Sequence, residues 1–172
     1  IDNFKRLNDE LGHSAGDDAL RILAERFGRA VGSNETLARF GGDEFVAVLT
    51  DQVDEAAVGR VLARIGGALA QPLQVGDAQH YMTASIGYCR FPEAGSDAET
   101  LLKHADIAMY QAKRQGRNQT VAYRADFDAS VTERLQLISA LRDALRRDEF
   151  RLGVQPLFGR DGGALGREAV VR

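Results

Sequence analysis

Two adjacent acids, Asp43 and Glu44, follow a pair of glycines, Gly41 and Gly42, in the segment RFGGDEFVAVL at 39–49. A carboxylate at a hairpin tip is a hard oxygen donor, suited to a cation such as Mg2+ that shares its shell with phosphate oxygens. Neighbouring side chains of a strand point to opposite faces, so one of the two acids serves such a site and the other does something else. A solvent-facing acidic turn explains the same residues without a ligand. A second group, Asn8 and Asp17, surrounds the Gly12–His13 turn in IDNFKRLNDELGHSAGD. An ionised carboxylate only accepts hydrogen bonds, whereas an amide both donates and accepts, so the pair matches the N–H and NH2 edge of guanine. The competing reading of Asp17 is an acid in the first turn of a helix, favoured by the exposed amides and the dipole. The third group, Lys113, Arg114, Gly116 and Arg117, lies in AKRQGRN at 112–118. Its cations can hold phosphate oxygens, Arg through a two-pronged fork. They are also what the carboxyl end of a helix prefers.

Positioning these groups falls to a small set of elements. Leu20, Leu23, Phe27 and Val31 share one face at helical spacing over 14–31, with Ser14 and Asp17 spaced as a capping box. RFGGDEFVAVL reads as strand, two-glycine turn, strand. Val58, Val61, Leu62, Ile65 and Leu69 predict an amphipathic helix that ends before Pro72. Residues 73–91 read as strands turning at Gly76 and Asp77, the second running through YMTASIGYCRF. Ser96 to Glu99 repeats the capping spacing ahead of a helix carrying Leu101, Ala105, Ala108, Met109 and Ala112, and QTVAY at 119–123 is a further strand. Helices alternating with hairpin and crossover strands predict an α+β fold, a mixed central sheet with flanking helices. A linker or docking helix is expected over 126–148, and EFRLGVQPLFGRDGGALGREAVVR reads as two strands about GRDGG.

The 172 residues, 44% of them hydrophobic, allow one full domain and a remainder. With 22 Lys and Arg against 25 Asp and Glu, the net charge of -3 includes no basic arm, and a nucleic-acid partner is not expected. The single cysteine, Cys89, precludes an internal disulfide and favours a reducing compartment, so the cytosol is expected. No apolar stretch reaches the roughly 20 residues of a membrane helix, and the first residues have no signal-peptide pattern. His13, His80 and His104 lack metal-ligand spacing and are assigned structural roles.

Taken together, the motifs resemble the GGDEF domain family, the diguanylate cyclases, over residues 1 to about 124. The pattern D-x-F-K-x-x-N-D-x-x-G-H-x-x-G-D runs from Asp2 to Asp17, R-F-G-G-D-E-F from Arg39 to Phe45, and S-I-G, A-D-x-A-M-Y-x-A-K and G-R-N occupy 85–87, 105–113 and 116–118. The resemblance implies a nucleotidyl-cyclase-like, ferredoxin-like palm fold. It also implies an activity, the joining of two GTP molecules into cyclic di-GMP with release of two pyrophosphates, across a homodimer with Mg2+ or Mn2+. It assigns Asp43 to metal binding and catalysis, Glu44 to a second acidic role, and the backbone carbonyl of Ile1 to the metal. Asn8 and Asp17 fall to guanine, and Lys113, Arg117 and the backbone N–H groups of Asn3 and Phe4 to phosphate. Gly41 and Gly42 then give the triphosphate room to approach the backbone.

The family's usual aspartate ahead of Ile1 lies outside the sequence, so the chain is expected to be a piece of a longer, membrane-attached or free sensor protein. Gly32, Ser33, Asn34 and Glu35 replace the R-x-x-D product-inhibition motif, and feedback through that site is not expected. The tail from 149 resembles the start of an EAL phosphodiesterase domain. Gln155 and Pro156 and then Glu168, Ala169 and Val170 stand for its motifs, with Glu168 as one ligand of an incomplete metal site. The domains expected are thus 1–124, a linker helix at 125–148, and the EAL fragment at 149–172. A silent GTP-binding domain controlling an attached phosphodiesterase is the second functional expectation.

Overall fold

Leu20, Leu23 and Phe27 recur at helical spacing and are all buried, so one face of a long helix lies under the amino-terminal part of the chain. The computed structural model describes residues 1–50, 54–76, 78–128, 140–160 and 162–171. The chain divides into two compact units, Ile1–Phe127 and Asp128–Arg172. In the first, the elements run α1 (Phe4–Leu11), α2 (His13–Val31), β1 (Thr36–Gly41), β2 (Glu44–Val48), α3 (Glu55–Ala70), β3 (Leu73–Val75), β4 (Ala78–His80), β5 (Ile86–Tyr88), α4 (Ala98–Arg114) and β6 (Thr120–Ala122). The second contains one antiparallel hairpin, β7 (Leu152–Phe158) with β8 (Ala164–Val171). Residues 126–128 and 140–146 are helical, 147 and 148 form a turn, and 129–139 of the helix expected over 126–148 lie outside the described residues.

The α+β class holds, with antiparallel and parallel pairing both present. β1 pairs β2 and β3 pairs β4 in antiparallel fashion, whereas β5 and β6 are parallel. Strand hydrogen bonding is pairwise, and residues 1 and 2 supply links between pairs. The Ile1 amino group donates to Asp43 O at 2.9 Å, and Asp2 N–H donates to Thr83 O at 2.8 Å.

The core joins Phe4 and Leu7 of α1 to the α2 face, to Leu69 of α3, to Leu73 and Val75 of β3, and to Met82. Leu23 and Leu73 are almost wholly removed from water, which stabilises by roughly 1.5–3 kcal/mol each. Phe45 of β2 meets Phe27 of α2 edge to face, centroids 5.4 Å apart, and so fastens the hairpin to this floor. Two arginines cross-brace α2 and α3 through open helix carbonyls. Arg26 donates to Gln71 O at 2.7 Å and Pro72 O at 2.8 Å, while Arg64 donates to Ala30 O at 2.7 Å.

Several local expectations are corrected. Helix α1 was not anticipated in the polar run FKRLNDEL. It starts after Asn3 in the left-handed region (φ 56°) and stops at Gly12 (φ 86°), whose N–H reaches Asn8 O. Because α2 begins at His13, directly after Gly12, Ser14 is already inside the helix, and no Ser14–Asp17 capping box forms. At α4 the cap is Asp97, not Ser96. Its carboxylate accepts from both the N–H and the hydroxyl of Thr100, at 2.9 and 2.8 Å, a pairing open to a carboxylate with two oxygens. The long strand through 81–91 shrinks to β5, since Thr83 and Ser85 turn their polar groups to Asp2.

Strand β5 lies directly on α4. A Cβ added to Gly87 would fall 2.0 Å from Met109 N and 2.2 Å from Ala105 O, both backbone atoms that cannot give way. Gly87→Ala is therefore expected to destabilise the domain by about 3 kcal/mol or more. Gly59→Ala, on an open face of α3, should stabilise it by about 0.5–1 kcal/mol. Thermal unfolding of the two variants checks the contrast, which vanishes if β5 and α4 are not packed this closely.

Candidate functional site

The signature hairpin turns one residue later than its glycine pair implies. Gly41 pairs with Glu44 across the ladder, the register slips between Arg39 and Gly41, and Gly42 and Asp43 form the turn. Gly42 takes φ 50°, where a side chain would be strained. Arg39 Nε donates to Gly42 O at 2.9 Å and braces the tip. Asp43 thus sits in the turn and Glu44 opens β2, so the two acids are separated by the turn itself rather than by strand alternation alone.

Asp43 is about one-third exposed, and the Ile1 nitrogen stands 3.6 Å from its Oδ2 as well as bonding its carbonyl. The contact between residues 1 and 43 is thus made by the Ile1 nitrogen, not by the Ile1 carbonyl expected at a metal. Glu44 is exposed and, among the described residues, pairs with no cation. Among the described residues no three His, Cys, Asp or Glu side chains gather as a metal cluster. One carboxylate with a backbone carbonyl is nevertheless a donor set that fits Mg2+ or Mn2+, which keep waters and take the remaining oxygens from substrate phosphates.

Asn8 lies on α1 against α2. Its Oδ1 is buried without a partner and points at Gly16, where a Cβ would come within 1.9 Å of it. Gly16 is thus the residue that makes room for Asn8. Asp17 is exposed on α2 and, with no capping box formed, caps nothing. The two expected guanine contacts share the α1–α2 corner. Ahead of them, α1 has no side-chain cap, so the first N–H groups, at Asn3 and Phe4, face outward at its positive end.

Lys113 lies in the last turn of α4 and is half-buried, and Arg117 follows in an exposed turn. Among the described residues neither forms an ion pair with a carboxylate. Two successive residues, Arg117 (φ 64°) and Asn118 (φ 48°), are left-handed, and Arg117 N–H donates to Ala112 O at 3.0 Å.

The residue that motif reading left without a role is Asp2, only 4% exposed. Its Oδ1 accepts from Ser85 Oγ at 2.7 Å, and its Oδ2 from Thr83 Oγ1 at 2.8 Å and Asn118 N at 3.1 Å. Burial pushes its acidity weaker, but the bonds from Ser85, Thr83 and Asn118, aided by the amino-terminal charge, outweigh burial and hold the carboxyl below the usual range. The sequence signal was Asp2 in D-x-F-K, yet nothing local revealed that its donors lie 81 to 116 positions away.

The remaining singular residues are structural. Cys89 Sγ donates to Leu101 O at 3.2 Å, and burial pushes its thiol up. His104 stacks on Tyr123 with centroids 3.9 Å apart. Glu168 lies opposite Gln155 in the β7–β8 ladder of the second unit and is exposed. A groove of about 360 Å3 beside α3, bordered by Gly66, Leu69, Tyr81, Thr83 and Asn118, contains none of the candidate ligands. No helix among the described residues is long and apolar enough to cross a membrane.

Comparison with known proteins identifies the family. The chain is 36% identical to the cyclic di-GMP phosphodiesterase NbdA of Pseudomonas aeruginosa and 37% identical to the bifunctional diguanylate cyclase/cyclic di-GMP phosphodiesterase MucR of the same organism. It is also 37% identical to the cyclic di-GMP phosphodiesterase PdeR of Escherichia coli. Each alignment covers 100% of this chain but only 22%, 25% and 26% of the respective relative, so the chain spans about a quarter of their length. Among solved structures, the isolated GGDEF domain of YfiN (TpbB) from Pseudomonas aeruginosa superposes with TM-score 0.73 at 32% identity, covering 76% of this chain and 77% of that one. The GGDEF domain of DgcB from Caulobacter crescentus, in complex with c-di-GMP, gives TM-score 0.61 at 31% identity, covering 71% and 72%. With residues 1–119 matching the family described as diguanylate cyclase, GGDEF domain, the chain belongs to the GGDEF domain family.

Proposed function

We propose that the first unit is a diguanylate cyclase domain, which joins two GTP molecules into cyclic di-GMP when two copies face each other. The observation that carries this reading is the place of Asp43 in the turn of the signature hairpin, with the Ile1 nitrogen bonded to its carbonyl. Asn8 and Asp17 would take the guanine, Asp17 by accepting from its N–H and NH2 edge. The open N–H groups of Asn3 and Phe4 and the unpaired cations Lys113 and Arg117 would balance the triphosphate. Mg2+ or Mn2+ held by Asp43 and the Ile1 carbonyl would neutralise phosphate charge and acidify the attacking hydroxyl. In each half-reaction the 3′-hydroxyl oxygen of one GTP bonds the α-phosphorus of the other, the α–β bridging P–O bond breaks, and pyrophosphate leaves. The hydroxyl proton passes toward Asp43, whose half-exposed carboxylate stands at the tip. Because one domain holds one nucleotide, a homodimer is needed for turnover.

Gly41 adds support. Among the described residues a Cβ there would meet no atom within 4 Å, so the backbone at Gly41 is open to a triphosphate approaching from outside.

A second reading keeps GTP binding but not turnover, the domain controlling an attached phosphodiesterase. What favours it is that two relatives, NbdA and PdeR, are described as phosphodiesterases. We assign 1–124 to the GGDEF domain, 125–148 to a linker helix and 149–172 to the opening of an EAL domain in which Glu168 would be one metal ligand. A cytoplasmic location follows from GTP as substrate.

Purified dimeric protein carrying this domain, given GTP and Mg2+, is expected to form cyclic di-GMP. Asp43→Ala should lower the rate at least ~100-fold while GTP binding persists in part. GTP binding without product, accompanied by a changed phosphodiesterase rate, would select the second reading. Gly41→Ala should leave the unfolding temperature unchanged and weaken GTP binding about tenfold, roughly 1.4 kcal/mol. Equal affinity in Gly41→Ala would remove the argument from the open backbone.

A further inference from the structure

We infer that Asp2 is a positioning residue for the phosphate-and-metal end of the site, acting through backbone rather than by touching substrate. This inference rests on the cyclase-domain reading above. Asp2 is buried and both of its carboxylate oxygens accept from the fold, Oδ1 from Ser85 Oγ and Oδ2 from Thr83 Oγ1 and Asn118 N, so its side chain serves the fold rather than the substrate.

What its bonds hold is specific. Asp2 is joined through one peptide to Ile1, the backbone that meets Asp43. Its own N–H is fixed to Thr83 O. Its Oδ2 takes the N–H of Asn118, the residue after Arg117, within a turn where two consecutive non-glycine residues are left-handed. At a residue such as Arg117 this backbone persists where its surroundings hold it. A charge-assisted bond from a buried carboxylate is a strong enough constraint to impose it. Releasing that bond lets the turn relax, and Arg117 leaves its aim. One side chain therefore fixes the Asp43 partner and the phosphate cation together, although the two are more than a hundred residues apart in sequence. The Asn8–Asp17 corner, carried by α1 and α2, has no bond to Asp2 among the described residues.

An asparagine can replace most of this. Its single oxygen must stand where Oδ2 does, because a backbone N–H can only donate, and its NH2 then donates to Ser85 Oγ, a hydroxyl free to accept. Alanine replaces none of it. The test is titration of the full protein and its variants with GTP and with guanosine, which carries the base but no phosphate. Asp2→Ala is expected to weaken GTP about tenfold and guanosine less than about twofold, with turnover down about 100-fold. Asp2→Asn should return GTP affinity to within about threefold of the parent. Should Asp2→Ala fail to fold, Thr83→Val and Ser85→Ala each remove one donor and should give the same selective loss in smaller measure. Loss of GTP and guanosine affinity in parallel, or no loss of either, overturns the positioning role while leaving the nucleotide site intact. A parent protein that binds no GTP overturns the site reading itself, and the inference with it.

Discussion

A carboxylate sealed from water must be surrounded by donors, and where the donors come from decides which parts of a chain are held together. Asp2 draws its donors from the segment at 83–85 and from the turn after α4, while its neighbour Ile1 reaches the tip of the β1–β2 hairpin. The paired strands β5 and β6, which continue the first two stretches, are thus tied through residues 1 and 2 to the β1–β2 hairpin, with which they share no ladder among the described residues. Leaving a buried carboxylate without its donors costs several kcal/mol, which makes the convergence an all-or-none feature rather than one that loosens by degrees.

The candidate site inherits a division of labour from this. The Asn8–Asp17 corner is built on α1 and α2, whose mutual approach is governed by close packing at Gly16 and by the apolar floor of Leu20, Leu23 and Phe27. The anionic end is built on turns, at Gly42–Asp43 and at Gly116–Asn118, where backbone in the left-handed region needs outside support. Packing secures the first and hydrogen bonding to charge secures the second, so the two halves respond differently to the same loss of stability.

Much of the arrangement was legible from residue types alone. Helices α2, α3 and α4 follow their apolar periodicity, and the hairpin follows from glycines between β-prone segments, because these signals are local. What escaped was set by competition between neighbours or by distant partners. Whether Ser96 or Asp97 caps α4 depends on which oxygen geometry wins, and the strand through 81–91 was shortened by a residue at position 2. Helix α1 was hidden because FKRLNDEL hides its two core residues, Phe4 and Leu7, among charges, and tertiary burial rather than propensity makes it a helix. The metal and guanine assignments were ambiguous residue by residue. Disposing of the capping explanation for Asp17 and of the shared-strand picture for Asp43 and Glu44 took coordinates.

The edge-to-face contact between Phe27 and Phe45 also fixes a length. Side chains alternate along β2, so Phe45 reaches α2 only if the count of residues from it back to the turn is kept, and Asp43 sits at the apex for the same reason. Inserting a residue there would swing the aromatic anchor to the opposite side and carry the acid away from Ile1 in one stroke. The corner is thus a ruler whatever it binds, and it tolerates a change of letter more readily than a change of spacing.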